Sequence, residues 1–285
     1  MGKPMARNLL KAGFPLAVFS RSRPPVDELA SEGATPCDSA RACATGRDAV
    51  ITMLPDSPDS EKVILGKDGV LEGASKGAVV IDMSSIAPSV SKAIGAACEA
   101  KGVDFLDAPV SGGEAGAPEG PLAIMAGGKK DVFARAEPLF AALGKSSVLC
   151  GGHGAGNTVK LANQIVVAAN IEAVSEALVF ARKAGVDPGV AFEAIRGGLA
   201  GSKVLEAKAP MMIEGSFQPG FRLRLHQKDL ANALSTAKEE GIPLPVAALL
   251  QQIVTALVVS GKGDLDHSAI ARFLEDLSQT TIRGE

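Results

Sequence analysis

Short apolar runs alternate with amphipathic stretches through the first half of the chain. Runs of this length and composition predict strands, at residues 17–19, 49–54, 78–81, 103–106, 122–126 and 147–150. The stretches between them have helical spacing, and two of them, residues 4–12 and 88–101, each end at a glycine. Such alternation of strands and helices predicts a mostly parallel, doubly wound sheet with helices on both faces.

The pattern changes after the glycine-rich residues 151–154, because only helical periodicity follows. Residues 157–184 form one long apolar stretch, which as a helix extends about 42 Å at roughly 1.5 Å per residue. Further helices are predicted around residues 190, 202, 223, 246 and 268. We therefore expect an α/β domain over residues 1–152 and an all-helical domain over residues 153–285.

Composition and charge exclude several classes of protein. The formal net charge of the 285 residues is only −3 and no Lys/Arg run occurs, which argues against nucleic acid and anionic membranes as partners. The long apolar helix carries Glu172 and Glu176 in its middle, so we interpret it as a core helix and not a membrane span. The four cysteines form no C-x-x-C pair and indicate a reduced, cytoplasmic protein. The three scattered histidines do not predict a metal site.

A polar face marks the beginning of the long helix. Lys160, Asn163 and Gln164 are three and four residues apart, so a helix places them on one face. A lysine held against apolar surface loses hydration, which makes its ammonium a better proton donor near neutral pH. The alternative is a lysine whose stem covers the core while its ammonium reaches water.

The residues that follow the predicted strands are candidates for cofactor contacts, because ligands of doubly wound domains bind at the carboxyl ends of the strands. Arg21 and Ser22 follow the first strand with no carboxylate among residues 20–23, which suits the 2′-phosphate of NADP better than the ribose of NAD. Leu54 and Pro55 follow the second strand, and Ser85 lies after the third. Turns of this composition end many strands, so each signal is weak alone.

A glycine-rich loop follows the strand at residues 103–106. Its residues Ser111, Gly112 and Gly113 offer a hydroxyl and unobstructed backbone N–H groups, which is suitable chemistry for binding a small carboxylate. The alternative is a flexible loop without a ligand.

Four segments together resemble the β-hydroxyacid dehydrogenases, the family of 3-hydroxyisobutyrate dehydrogenase. The resemblance spans the whole chain and is carried by residues 1–9, 107–113, Gly156-x-x-x-Lys160-x-x-Asn163 and Lys228-Asp229-Leu230. It implies a Rossmann-type domain, a helical second domain, and NADP or NAD as the cofactor. Residues 160–164, 194–202 and 225–230 are most similar to the members that reduce 2-hydroxy-3-oxopropanoate. The implied reaction is the reduction of a small carboxylated aldehyde to a hydroxy acid.

The resemblance also implies roles for individual residues. Lys160 is then the general acid and Asn163 orients the substrate or the lysine. Gln164 is a further substrate-binding residue, and Lys228 closes over the cofactor. His226 is either a substrate contact or a packed polar residue. Glyoxylate or succinate semialdehyde reduction and 3-hydroxyisobutyrate oxidation use the same motifs, so these substrates stay open. The long apolar helices of the second domain favour a homodimer or homotetramer.

The chain departs from the family pattern at its beginning. Gly2 matches the third glycine of G-x-G-x-x-G, which leaves the first strand and two glycines unaccounted for. We expect an in-frame upstream segment of about ten residues that encodes this strand and G-x-G. The alternative of another class is a non-catalytic nucleotide-binding remnant.

Overall fold

The computed structural model describes residues 1–112 and 122–283, and the predicted carboxylate-binding residue Gly113 lies outside them. The chain divides into two compact units, Met1–Lys160 and Leu161–Glu285. The first contains the predicted alternation of strands and helices. Its helices and strands are, in chain order, α1 Gly2–Lys11, β1 Ala17–Val18, α2 Arg23–Ser31, β2 Thr35–Pro36, α3 Ala40–Ala44, β3 Ala49–Thr52, α4 Ser57–Leu65, α5 Val70–Gly73, β4 Val79–Asp82, α6 Pro88–Ala100, β5 Asp104–Asp107, β6 Val110–Ser111, β7 Leu122–Gly128, α7 Lys130–Leu143 and β8 Gly144–Gly151.

The larger sheet of this unit has the strand order β3-β4-β5-β7-β6, with β8 also pairing with β7. Strands β3, β4 and β5 are parallel, so their carboxyl ends lie at one edge. Every residue of β4 is buried, as expected for a central parallel strand with both faces covered. The Rossmann-type α/β class predicted from the sequence is thereby confirmed.

The pairing of the later strands differs from the expected parallel arrangement. Strand β7 runs antiparallel to both β5 and β6, whereas β8 is parallel to it. Strands β1 and β2 form a separate two-stranded parallel sheet. The two-residue strands β2 and β6 were not predicted, because neither lies in one of the apolar runs from which strands were predicted. The upstream strand expected before Gly2 stays a prediction.

Two apolar layers hold the sheet between its helices. One layer contains Met5 of α1 and Phe140 of α7 packed with Ile81, Leu106 and Ile124 of the central strands. The other layer joins the opposite side of the sheet to α4 and α6. These layers fix the positions of the strand ends at which the cofactor residues were predicted.

The second unit is helical throughout its described length, as predicted. It contains the part of α8 (Ala155–Lys183) after Lys160, and then, in chain order, α9 Pro188–Arg196, α10 Lys203–Glu214, α11 Leu223–Glu239, α12 Pro245–Leu257 and α13 Ala271–Ser278. Asp187 and Ser202 cap α9 and α10 by accepting backbone N–H bonds. The core joins α8 to the helices around it through residues such as Ile171, Leu178 and Val254.

Two helical segments of the described chain are long and apolar enough, by length and composition only, to cross a membrane. They are Ala155–Lys183, whose most apolar window is 50% buried, and Pro245–Lys262, whose window is 28% buried. In the first, Ile171 and Leu178 are fully enclosed by the helices of their own unit. Burial of this kind supports the interpretation of α8 as a core helix.

An acidic side chain is buried in the middle of this core helix. Glu172 is almost fully enclosed, and its Oε2 has no hydrogen-bond partner among the described residues. Burial, together with repulsion from Glu176, raises the pKa of Glu172 to about 7 from an ordinary value of 4.5. The folded protein therefore binds this proton more tightly than the unfolded chain, and stability falls as the pH rises between these two values.

We expect Glu172→Gln to stabilise the protein at pH 8 and to have little effect at pH 4, because only at the higher pH does the wild type bury a charge. The gain at pH 8 should be about 1 kcal/mol once partial solvent screening is allowed for, or about 2 °C in Tm. Thermal unfolding at both pH values measures it. The exposed neighbour serves as the control, and Glu176→Gln should give a smaller change. An equal gain at both pH values would contradict the assignment.

Candidate active site

The start of α8 is held by a buried carboxylate at the end of a central strand. Asp107, the last residue of β5, accepts the backbone N–H of Gly154 at 2.7 Å and that of Asn157 at 2.8 Å. The first turn of a helix has no internal partners for its N–H groups, and its positive end favours a negative charge. Asp107 thus supplies from a distant strand the cap that α8 needs.

Asn157 fastens the same helix turn to a second segment. Its Oδ1 accepts the backbone N–H of Ile86 at 2.9 Å, and its Nδ2 donates to Oγ of Ser91 at 3.0 Å. The side chain of Asn157 is fully buried, so both bonds are shielded from water. The beginning of α8 is therefore fixed to β5, to the loop after β4 and to α6.

Two buried carboxyl groups lie at the ends of adjacent strands. Burial raises the pKa of Asp107 to about 7 even though two backbone amides oppose the shift, and nearby Asp82 adds to it. Burial also raises the pKa of Asp82, which accepts bonds from Thr52 and Ser84. Hydrogen-bond donors reach both oxygens of Asp107 and Oδ1 of Asp82, whereas Oδ2 of Asp82 has no hydrogen-bond partner among the described residues.

Glycines leave room for this arrangement. A Cβ on Gly156 would lie 2.3 Å from the carbonyl oxygen of Met125 and 2.5 Å from that of Asp107. A Cβ on Gly127 would lie 2.5 Å from Oδ1 of Asp107. The helix can approach the strand ends this closely only because these positions lack a side chain.

Gly156→Ala should destabilise the protein by about 1–3 kcal/mol, because the new methyl group meets backbone oxygens that cannot move away singly. Alanine has a higher helix propensity than glycine, so the variant would be more stable than the wild type if the contacts of the new methyl group were unimportant. Gly152→Ala is the matched control, since nothing lies within 4 Å of its Cβ position. Thermal unfolding compares the two variants, and equal Tm values would show that the close approach does not limit stability.

Lys160 is buried, with an exposed fraction of 6%, although it follows the exposed Thr158 and Val159. A lysine that extends its ammonium into water is expected to be far more accessible. Lys160 is much less accessible than such a lysine, and its role stays a prediction. Its place on α8, directly after the turn held by Asp107 and Asn157, gives it a firmly positioned backbone.

In the helical unit a chain of polar side chains begins at Asn163. Its Nδ2 donates to Oε1 of Gln164 at 2.9 Å, and Nε2 of Gln164 donates to Oδ2 of Asp229 at 2.6 Å. Oδ1 of Asp229 forms an ion pair with Nζ of Lys228 at 2.9 Å, although it lacks hydrogen-bond geometry. The predicted residues Asn163, Gln164 and Lys228 are thus connected through Asp229. The sequence analysis gave Asp229 no role, although it stands beside Lys228 in the matching motif.

His226 lies one helical turn before Asp229 on α11 and is fully buried. Its Nε2 is 3.0 Å from the backbone oxygen of Gln164, and its Nδ1 is 3.0 Å from Nδ1 of His267. A carbonyl oxygen only accepts, so Nε2 carries the proton. These contacts correspond to the packed polar residue that was one of the two expectations for His226.

The predicted cofactor residues of the first unit occupy strand ends and a helix start. Leu54 and Pro55 follow β3, and Ser85 follows the adjacent parallel strand β4. The backbone N–H of Leu54 donates to Oγ of Ser84 at 2.8 Å, which ties the two loops together. Gly2 is the first residue of α1.

Arg21 and Ser22 lie between β1 and α2. Arg21 is 82% exposed and its guanidinium is 3.6 Å from Asp59. Ser22 is the N-cap position of α2, and its side chain forms no capping bond. Arg23, in contrast, is held by Asp27 at 2.7 Å. The hydroxyl of Ser22 and the guanidinium of Arg21 are thus accessible to an anion.

The predicted carboxylate-binding loop is described only in part. Ser111 is half-buried and ends β6, and Gly112 has a φ of 144°, which L side chains rarely adopt.

The residues of the first unit fit a dinucleotide. A Cβ on Gly2 would touch only the side chain of Met53, at 3.8 Å, so the start of α1 is open. The first turn of α1 contains no acidic residue, which leaves its positive end available to a phosphate.

Two family models match the chain consecutively. Residues 1–152 match the NAD-binding domain of 6-phosphogluconate dehydrogenase, and residues 154–274 match the NAD-binding domain of NADP-dependent 3-hydroxyisobutyrate dehydrogenase.

Relatives and solved structures are similar over nearly the full length. The 2-hydroxy-3-oxopropionate reductase of Escherichia coli is 48% identical over 96% of this chain and 94% of its own. The 3-hydroxyisobutyrate dehydrogenase of Pseudomonas aeruginosa is 35% identical over 95% and 92%. The structure of the Mycobacterium tuberculosis 3-hydroxyisobutyrate dehydrogenase with L-serine superposes with a TM-score of 0.88, at 31% identity, over 96% and 95% of the two chains.

Proposed function

The chain belongs to the 3-hydroxyisobutyrate dehydrogenase family of NAD(P)-dependent oxidoreductases, and from this premise we propose that it reduces 2-hydroxy-3-oxopropanoate to 2,3-dihydroxypropanoate. Lys160 donates the proton in this reaction. The observation that carries the proposal is a buried lysine on a helix whose first turn is fixed by Asp107 and Asn157. The 48% identity to a 2-hydroxy-3-oxopropionate reductase supports the choice of substrate.

A nicotinamide cofactor, held by the residues of the first unit, would supply the hydride that reduces the aldehyde carbon. As the carbonyl oxygen gains charge, the Lys160 ammonium stabilises it and donates a proton, which completes the alcohol. Solvent then returns a proton to the amine. Asn163, one turn further along α8, orients the substrate. Ser111, Gly112 and Gly113 bind its carboxylate through N–H and hydroxyl donors.

NADP is the preferred cofactor in this proposal, with NAD also accepted. Gly2 at the start of α1 would hold the pyrophosphate, and Leu54, Pro55 and Ser85 at the strand ends would contact the rest of the cofactor. The accessible Arg21 and Ser22 bind the 2′-phosphate. Lys228 would also bind the cofactor.

Other substrates of the family share the motif residues, and 3-hydroxyisobutyrate is the named substrate of the Pseudomonas relative. Glyoxylate and succinate semialdehyde are the remaining competitors. The non-catalytic alternative is not retained, because the relatives are named reductases and dehydrogenases and Lys160 is present.

We also propose a cytoplasmic homo-oligomer, either a dimer or a tetramer. The described helical unit leaves large apolar side chains exposed, among them Val166, Phe180, Leu249 and Val259. Large apolar side chains that are exposed in one subunit are commonly covered by another subunit when they form a patch.

Lys160→Ala should reduce kcat by roughly 10²–10⁴ while the protein folds and binds NADPH normally, because one positioned proton donor is removed. Lys160→Arg should restore little, since a guanidinium is a poor acid at neutral pH. Steady-state kinetics with 2-hydroxy-3-oxopropanoate and thermal unfolding with and without NADPH measure both effects. Lys183→Ala, at the exposed end of the same helix, is the control. Turnover near the wild-type value in the alanine variant would refute the role.

Arg21→Asp should lower kcat/KM with NADPH by roughly 10–100-fold and leave NADH use much less affected, because charged hydrogen bonds to the 2′-phosphate contribute about 1.5–3 kcal/mol. Arg41→Ala is the control, since Arg41 is another exposed arginine of the first unit and contacts Glu72. The cofactor ratio of the control should equal that of the wild type. If Arg21→Asp leaves the ratio of kcat/KM with NADPH to that with NADH unchanged, the wild-type guanidinium does not contact the cofactor.

A further inference from the structure

The side chains of Asn163, Gln164 and Asp229 form a polar chain whose hydrogen bonds have a fixed donor-to-acceptor direction. Asp229 is fully buried and paired with Lys228, so its carboxylate only accepts hydrogen bonds. Gln164 must therefore turn its Nε2 toward Asp229, where the two atoms lie 2.6 Å from each other. Its Oε1 is then directed at Asn163, whose Nδ2 must donate across 2.9 Å. One carboxylate thus determines how two successive amide groups are oriented.

Water cannot easily reverse this order, because the middle of the chain is inaccessible. Gln164 is 4% exposed and Asp229 is 0% exposed, whereas Asn163 is half-buried. Helix α11 also holds Gln164 a second time, since His226 donates to its backbone oxygen at 3.0 Å. Among Asn163, Gln164 and Asp229, only the Asn163 amide is therefore accessible. Its nitrogen has one proton committed to Gln164, and its Oδ1 is available as an acceptor.

We infer that Asp229 is a positioning residue that makes Asn163 present its oxygen to the substrate, and that this oxygen accepts a hydrogen bond from the 2-hydroxyl group. The inference rests on the proposed function, in which Asn163 contacts the substrate. It extends that function by specifying a chemical preference: the site favours an acid with a hydrogen-bond donor at C2. A substrate with an acceptor at that carbon meets the oxygen lone pairs of Asn163 and is disfavoured.

Three 3-hydroxy acids that differ only at C2 test this preference in the oxidation direction with NADP⁺. They are 2,3-dihydroxypropanoate, 3-hydroxypropanoate and 2-fluoro-3-hydroxypropanoate, which place at C2 a donor, a hydrogen and an acceptor of similar size. The informative quantity is the ratio of kcat/KM for the fluoro compound to that for 3-hydroxypropanoate. The electronic effect of fluorine on hydride transfer is the same for every variant, so it cancels when variants are compared.

Asp229→Asn should reverse the donor-to-acceptor direction of the hydrogen bonds in the polar chain. Lys228 can only donate, so the substituted amide turns its oxygen to Lys228 and its nitrogen to Gln164. Gln164 then rotates, and Asn163 presents N–H instead of oxygen to the substrate. We expect the fluoro-to-hydrogen ratio to rise roughly tenfold or more, the size of the penalty for a mismatched polar pair. The preference for the hydroxyl group should persist in part, because a hydroxyl group also accepts.

Gln164→Leu provides a second variant that does not alter the ion pair of Asp229. It removes the middle of the chain and frees the Asn163 amide to rotate, so the ratio should rise here as well, by less than in Asp229→Asn. Lys208→Met is the matched control, because Lys208 and Asp266 form an ion pair of the same 2.9 Å length and nearly the same burial. It removes a comparable pair from the same unit and should leave the ratio unchanged. Circular dichroism confirms folding of each variant.

The outcomes separate this inference from the proposed function. Failure of the wild type to oxidise 2,3-dihydroxypropanoate overturns the proposed substrate. The inference is overturned by a fluoro-to-hydrogen ratio that stays at the wild-type value in both Asp229→Asn and Gln164→Leu, whichever acid the enzyme prefers. A ratio that rises equally in Lys208→Met also overturns it, since the effect would then follow any loss of a buried ion pair. A rise confined to the two chain variants supports it.

Discussion

The carboxylate of Asp107 joins the sheet to the helix that carries the proposed chemistry. It sits at the end of β5 and accepts two N–H groups from the start of α8. These two hydrogen bonds, together with Gly127 and Gly156, determine how closely the start of α8 approaches the strand ends. Lys160 follows one turn later, so its position depends on this contact. A buried acid is costly to desolvate, and here the positive end of a helix offsets part of that cost.

The helical unit also contains buried carboxylates, and lysine side chains stabilise two of them. Lys228 and Asp229 on α11 form one ion pair, and Lys208 of α10 forms another with Asp266. Asp266 also accepts the backbone N–H groups of Gly220, Phe221 and Ser268. Burial alone raises the pKa of Asp266, but His267, the Ser268 amide and Lys208 lower it to about 2. Neutralisation by several donors thus distinguishes Asp266 from Glu172, which has Glu176 as its charged neighbour.

The architecture was largely predictable from the sequence because it follows from local patterns. The apolar runs at residues 49–54, 78–81 and 103–106 became the parallel strands β3, β4 and β5, and the long helical pattern became α8. The antiparallel pairing of β7 was not predictable in this way, since an apolar run does not specify its neighbour. The motif residues of the site could be predicted from the sequence, whereas the hydrogen bonds between them could not. Asp107 and Asn157 are 50 residues apart, and Gln164 and Asp229 are 65 apart, so no local periodicity links them.

The contacts around Asn157 have a consequence for hydrogen exchange. The amides of Ile86, Gly154 and Asn157 donate to buried side chains, so they belong to no strand ladder and to no internal turn of a helix. Loop and first-turn amides usually exchange with deuterium quickly because small fluctuations expose them. Here exposure requires the start of α8 to leave the sheet. These three amides should therefore exchange at the slow rate of the central strands, and the first turn of α8 should open together with β5 as one cooperative element.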